Sequence, residues 1–229
     1  WEDFYINKFK FKRYRMQSKI ILMTTAILIF LPAIFFFTND FKMFSGEERT
    51  LLSFFQSITT RTAGFNTADM ALMTESGKAV MIFLMLIGGS PSSTAGGMKT
   101  TFAVLILNAF ATFRSREDAG AFGRRFDRQV IKNAATIAML YFMLFFFGGI
   151  TISVYEGLPV LTCFYEAASA VGTVGLTLGV TPGLHIISRL ILIVLMYLGR
   201  VGGMTLIYAV FSGKNNNGAR MPLEKITVG

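Results

Sequence analysis

Two short stretches carry residue types suited to holding a bare monovalent cation. One is Thr62-Ala63-Gly64 within TTRTAGFNT (59–67), and the other is Gly172-Thr173-Val174-Gly175 within AVGTVGLTL (170–178). None of these side chains is ionised, so the available chemistry belongs to the backbone. Consecutive carbonyls turned toward one axis replace the hydration shell of a passing cation. Glycine reaches the backbone conformations that such turning requires. A second constellation is GGSPSSTAGGMK (88–99), where Gly88, Gly89, Gly96 and Gly97 alternate with Ser90, Ser92, Ser93 and Thr94 ahead of Lys99; Arg200 lies far along the chain. Ser90 and His185, the sole histidine, offer a different chemistry, that of an intramembrane serine protease. That requires the base within hydrogen-bond reach of the nucleophile. Cys163 is the only cysteine, which excludes an intrachain disulfide and a Cys-based zinc site.

The elements that must position these residues follow from the spacing of charge. Only 15% of residues are charged while 53% are hydrophobic, and mean hydropathy is +0.55. Windows 20–39, 79–98 and 133–155 contain no charged residue, and 190–213 contains Arg200 alone. A membrane-crossing helix needs about 20 mostly apolar residues, so these four windows predict an all-α membrane protein. Nineteen residues precede the first window, which is long enough to span, and this argues against a secretory signal peptide. The chain opens at Trp1, and part of a longer protein is expected.

Net charge is +9, and its distribution assigns orientation. Lys8, Lys10, Lys12, Arg13, Arg15 and Lys19 precede the first window. Arg114, Arg116, Arg124, Arg125, Arg128 and Lys132 lie between the second and third, and Lys214, Arg220 and Lys225 follow the fourth. Basic loops are retained in the cytoplasm, so both ends are expected there, in a plasma (inner) membrane. The other two connections carry acids: Asp40, Glu47, Glu48, Asp69 and Glu75 in one, Glu156 and Glu166 in the other. Topology accounts for the basic runs, and no nucleic-acid partner is expected. In the linker, Glu117, Asp118 and Asp127 read as solvated or partner-facing.

The acidic connections are too apolar to be plain solvent loops. Segments 50–58 (TLLSFFQSI) and 159–171 (PVLTCFYEAASAV) read as short helices, each running into a glycine loop. Gly64 to Gly88 and Gly175 to Gly199 are both 24 positions apart, and Gly96-Gly97-Met98 is echoed by Gly202-Gly203-Met204 after a five-residue difference. The chain therefore divides into a pore repeat (1–113), a linker (114–132), a second pore repeat (133–213) and a tail (214–229). Repeats in membrane proteins place their sites at the repeat interface. Non-helical backbone at membrane depth is tolerated only when buried in protein or lining a water-filled cavity. For Gly202 and Gly203, close helix packing stands beside function as an equal reading.

Two anomalies mark the windows. From 79 to 113 is 35 residues with only Lys99 charged, roughly 52 Å of helix against a core of about 30 Å. The glycines, Pro91 and hydroxyl residues of 88–97 predict a break there, placed to obstruct a pathway and to move. Arg200 near mid-membrane costs roughly 2.5–3.5 kcal/mol and must face the interior. The repeat alignment sets it beside Gly88-Gly89, which favours a gate or barrier role over a structural ion pair. Ser90 falls mid-membrane and His185 at the outer end of the fourth span, too far apart for protease chemistry.

TTRTAGFNT, GGSPSSTAGGMKTT, AVGTVGLT, LGRVGGMT and the terminal EKITVG together resemble the last two repeats of the Trk/Ktr/HKT cation-uptake family. The linker RSREDAGAFGRRFDRQVIKNA is most similar to the Ktr-type membrane subunit. The resemblance covers nearly the whole chain. It implies four span–loop–span units around one pore, of which this chain holds the third and fourth. It implies potassium uptake, passive or sodium-dependent, with no enzymatic activity. Filter carbonyls would come from Thr62, Ala63 and Gly64 in one quadrant and from Gly172, Thr173, Val174 and Gly175 in the next, with K+ as the ion held. The gating loop maps to 88–99 and the pore-facing arginine to Arg200. No cofactor is implied for this chain. The implied partners are a second copy, membrane lipid and a KtrA-like cytoplasmic ring that carries the nucleotide. Val171 departs from the family, which often has an aromatic there. A non-conducting scaffold for such a regulator is the alternative function.

Overall fold

The computed structural model describes residues 13–89, 99–114 and 118–201. Of the residues singled out above, Lys8, Lys10, Lys12, Ser90, Pro91, Ser92, Ser93, Thr94, Gly96, Gly97, Met98, Arg116, Glu117, Gly202, Gly203, Met204, Lys214, Arg220 and Lys225 lie outside the described residues. The described chain is mostly helical. Helices α1 (Met16–Asn39), α2 (Gly46–Thr59) and α3 (Glu75–Ile87) are followed by α4 (Lys99–Phe113), a hairpin of β1 (Gly120–Ala121) and β2 (Arg124–Arg125), then α5 (Arg128–Glu156), α6 (Val160–Val171) and α7 (Ile186–Val201). Helices α1 and α5 are long and apolar enough to cross a membrane.

Charge-free windows understate these helices, because a helix continues through a charged residue until its backbone is capped. Asp127 accepts from the Gln129 N–H to start α5, and Gly157 ends it in a left-handed conformation with φ +65°. Thr74 starts α3 by accepting from the Gly77 N–H at 3.0 Å.

One offset, the 111 positions from Gly64 to Gly175, relates much of the two halves. It carries the 3₁₀ turn at Met70–Leu72 onto that at Thr181–Gly183, and the start of α3 at Glu75 onto the start of α7 at Ile186. The halves diverge at the aligned glycines Gly88 and Gly199. Gly88 ends α3 at φ +64° and ψ −152°, a region essentially reserved for glycine, with its N–H on the Leu84 carbonyl. Gly199 stays helical, and a Cβ there would stand 2.1 Å from the Val171 carbonyl oxygen. The same position breaks one helix and lets the other close on its neighbour.

Packing joins the halves. Met81, Leu84 and Met85 of α3 are buried with Tyr165, Ala168 and Val171 of α6 in one large core. Helix α6 is enclosed, with every residue from Tyr165 to Val171 buried. Gly149 makes room for it, since a Cβ there would meet the Phe164 ring at 2.2 Å. A smaller core holds Ile20, Ala103, Val104, Ala119, Phe126 and Ala134 beneath the hairpin. The start of α1 and the linker therefore lie at the same end of the bundle. The sequence marks 114–132 as a linker without assigning it local structure. Phe122 (φ +54°) and Gly123 (φ +76°) fold it into a tight two-residue hairpin turn.

Pro32 stands inside α1 and has no N–H to give the Leu28 carbonyl one turn back. The fully buried Ser57 hydroxyl on α2 points at that site, 3.1 Å from the Leu28 carbonyl oxygen and 2.7 Å from that of Ile29. A donor from one helix thus offsets the defect in the other and fixes where α2 lies.

Candidate functional site

Each short helix delivers the chain into a loop with the same alternation of backbone handedness. Thr62 and Gly64 have φ of +70° and +74°, while Ala63 between them stays at negative φ. Thr173 and Gly175 have φ of +53° and +92°, with Val174 at negative φ between them. A β-branched residue at positive φ is an outlier, and such strain clusters at functional sites. Alternating handedness turns successive carbonyls to one side of the chain and successive N–H groups to the other.

The N–H groups find their acceptors on the preceding helix. Ala63 and Gly64 donate to the Thr59 carbonyl at 3.2 and 3.1 Å, Thr173 to Ala170 at 3.1 Å, and Val174 to Ser169 at 2.9 Å. The Gly175 N–H reaches the Ser169 hydroxyl at 3.2 Å. Among the described residues no donor is directed at the carbonyls of Thr62, Ala63, Gly64, Thr173, Val174 or Gly175. The N–H groups of Ala63 and Gly64 in the first loop and of Thr173, Val174 and Gly175 in the second are thus taken up by protein acceptors. These carbonyls receive no protein donor among the described residues, an arrangement suited to a cation. The carboxyl ends of α2 and α6 add partial negative charge beside it.

The two loops touch. A Cβ on Gly64 would stand 2.2 Å from the Val174 carbonyl oxygen, so only glycine lets them approach this closely. Gly172 is held against the first half in the same way, its Cβ position 2.5 Å from the Met85 carbonyl oxygen. Gly175 has nothing among the described residues within 4 Å of its Cβ position.

Bracing residues surround each loop, and sequence reasoning missed them. Thr59 donates to the Phe65 carbonyl at 2.6 Å behind the first loop. Behind the second, the buried Glu166 carboxylate accepts from the Thr177 hydroxyl (2.7 Å), the Leu178 N–H (2.9 Å) and the Thr181 hydroxyl (2.8 Å). Glu166 was read as an acid of an outer connection. Its signal was that of a single acid in an otherwise apolar helix, seven positions before Thr173. Asp40 and Glu156 were read the same way, and both fold back onto helix starts. Asp40 accepts from the Thr74 N–H (2.9 Å) and hydroxyl (2.7 Å), and Glu156 from the His185 N–H (2.9 Å), with the imidazole at 2.8 Å. Thr74 and His185 are equivalent under the repeat offset, so both halves carry the same clasp.

Arg200, in the last turn of α7, lines a cavity of about 560 Å³ together with Thr173, Val174, Gly175 and Glu166. Of the residues predicted to gate, Gly88 and Gly89 are seen where α3 ends, and Lys99 begins α4. His185 is engaged by Glu156. Its imagined nucleophile Ser90 lies outside the described residues.

A family profile described as "TrkH: Cation transport protein" matches residues 13–217. The chain is 36% identical to potassium/sodium uptake protein NtpJ of Enterococcus hirae, covering 100% of the chain and 53% of that protein. It is 30% identical to Ktr system potassium uptake protein B of Bacillus subtilis, covering 96% of the chain and 51% of that protein. The chain thus spans about half the length of the curated relatives it matches. Its fold is similar to the crystal structure of the potassium transporter TrkH from Vibrio parahaemolyticus, with a TM-score of 0.68 and 21% identity, over 85% of this chain and 44% of that one.

Proposed function

Since the chain belongs to the TrkH family of cation transport proteins, and is therefore a membrane protein, we propose that its two halves form two quadrants of a potassium-uptake pore. The observation that carries this reading is the pair of touching loops, alike in handedness, in which Ala63, Gly64, Thr173, Val174 and Gly175 donate their N–H groups to protein acceptors while the loop carbonyls receive no donor among the described residues. K+ is the substrate, partly stripped of water and held by carbonyls of Thr62–Gly64 on one side and of Gly172–Gly175 on the other. The remaining quadrants come from the half of the relatives' length that this chain does not cover.

The break after Gly88 supplies the gate. The resemblance maps the gating loop to 88–99, of which 90–98 lie outside the described residues, and the pore-facing arginine to Arg200. A cation there repels a passing cation, and displacement of the segment opens the path. Both ends of the chain are cytoplasmic, which puts the hairpin linker within reach of a nucleotide-binding KtrA-like ring seated under a homodimer. Sodium acts as co-substrate or activator, in line with the printed name of the Enterococcus hirae relative. The names of the relatives describe uptake, which supports a non-enzymatic reading.

Rubidium and sodium flux into proteoliposomes holding the full-length protein tests this reading. Wild type carries rubidium in preference to sodium, and Gly175→Ser loses that preference because serine does not settle at φ +92°. Shortening 90–94 raises basal flux. Unchanged selectivity in Gly175→Ser would remove this loop from the filter.

A further inference from the structure

Away from the loops, a narrow apolar groove of about 210 Å³ opens between α1 and α4 beneath the hairpin. Ile20, Met23, Thr24 and Ile27 form one wall, Phe102 and Ile106 the other, and Ala121 and Phe122 of the hairpin roof it. Ile20 to Ile27 is two turns of helix, roughly 11 Å of depth. The volume falls below the ~300–1,000 Å³ typical of drug-sized ligands, so the shape suits a single acyl chain rather than a ring system.

Cations stand at its mouth. The Lys19 ammonium lies over the Phe122 ring, 5.3 Å from the centroid. Residues opposite each other on paired strands share a face. Arg124 is exposed and pairs with the groove-lining Ala121, which puts it on the strand position next to the groove roof, whereas Arg125 pairs with Gly120 and engages Asp118 at 3.5 Å. Among the described residues no acid lines the groove. The roof carries a further sign of purpose. Phe122 occupies a left-handed turn position where asparagine or glycine is usual, and the residue stays 47% exposed while lining the groove.

We propose that this groove binds one anionic phospholipid of the cytoplasmic leaflet, its acyl chain between α1 and α4 and its phosphate between Lys19 and Arg124. Basic residues at this depth attract acidic headgroups, and the apolar walls exclude the headgroup from the groove itself. The proposal rests on the orientation given above, with the linker cytoplasmic. Because hairpin and groove wall share the lipid, occupancy ties the linker's position to the start of α1.

Native mass spectrometry of the full-length protein, titrated with dioleoyl-phosphatidylglycerol or dioleoyl-phosphatidylcholine, reads the site directly. Wild type holds phosphatidylglycerol more tightly, and Lys19→Gln with Arg124→Gln weakens that binding about thirtyfold. Thr24→Phe, which fills the groove without touching a charge, removes the tightly held lipid. Rubidium flux in the same preparations reports the transport reading separately. Equal retention of the two lipids, or unchanged retention in either variant, would overturn the proposal. So would loss of self-association rather than of lipid in Thr24→Phe, since the groove's occupant would then be protein.

Discussion

Gly64→Ala puts a methyl group where the structure has a carbonyl oxygen. The new Cβ would lie 2.2 Å from the Val174 oxygen, and φ at this position is +74°. Two costs follow, and they can be separated. Left-handed backbone costs an alanine roughly 1–2 kcal/mol, which lowers stability wherever it is paid. The contact is different in kind, because both atoms belong to main chain and neither rotates away. Relief requires the two loops to part by about an ångström, taking the Val174 carbonyl off its axis. An interaction with a full charge is worth roughly 1.5–3 kcal/mol, so losing one carbonyl from a bound K+ costs about 10- to 100-fold in affinity. Gly179→Ala is the control. It has φ +87° and nothing among the described residues within 4 Å of its Cβ position, so it carries the backbone cost alone. Both variants should lose thermal stability in detergent, Gly64→Ala the more because it also carries the clash. Only Gly64→Ala should lose rubidium-over-sodium preference in proteoliposome flux. Wild-type selectivity in Gly64→Ala would refute the contact between the loops or the role of the Val174 carbonyl.

Three further outcomes are expected. Ser57→Ala destabilises by about 1 kcal/mol, in the range of hydrogen bonds between membrane helices, and the loss shrinks in a Pro32→Ala background because alanine restores the N–H that Leu28 lacks; thermal unfolding of the double-mutant cycle measures the coupling. Glu166→Ala strands the Leu178 N–H and two threonine hydroxyls, which lowers both flux and selectivity, whereas Glu166→Gln keeps an acceptor and retains most of both. Asp40→Ala removes two hydrogen bonds at the start of α3 and lowers stability by about 1 kcal/mol in a melting experiment, while His185→Ala leaves rubidium flux within a few-fold of wild type, the opposite of what a catalytic base would do.

What the sequence disclosed divides along physical lines. The break in the second apolar window was legible because glycine, proline and serine are poor helix formers wherever they occur, and α3 stops at Ile87 accordingly. The two glycine loops were legible because the same spacing recurs, and repetition needs no knowledge of contacts. The three acids were not. Counting charge along a chain sees Asp40, Glu156 and Glu166 as a polar connection, and it has no means of telling that each folds back onto a backbone N–H. Ser57 was invisible for the same reason, since its partner lies nearly thirty residues away at a carbonyl freed by Pro32. The hairpin was missed because phenylalanine is not a turn former. Strand pairing, the Phe126 N–H to Ala119 carbonyl bond at 2.8 Å and the packing of Ala119 and Phe126 with residues of α1 and α4 hold the hairpin that carries Phe122.

The central claim is that carbonyls of these two loops hold the transported ion. A structure of the full-length protein grown in rubidium, with an anomalous difference map, tests it most directly. The account predicts a rubidium peak on the axis faced by the carbonyls of Thr62–Gly64 and Thr173–Gly175, and a weaker peak there after soaking in sodium. Rubidium bound elsewhere, with these carbonyls taken up by protein donors from the adjoining half, would contradict it.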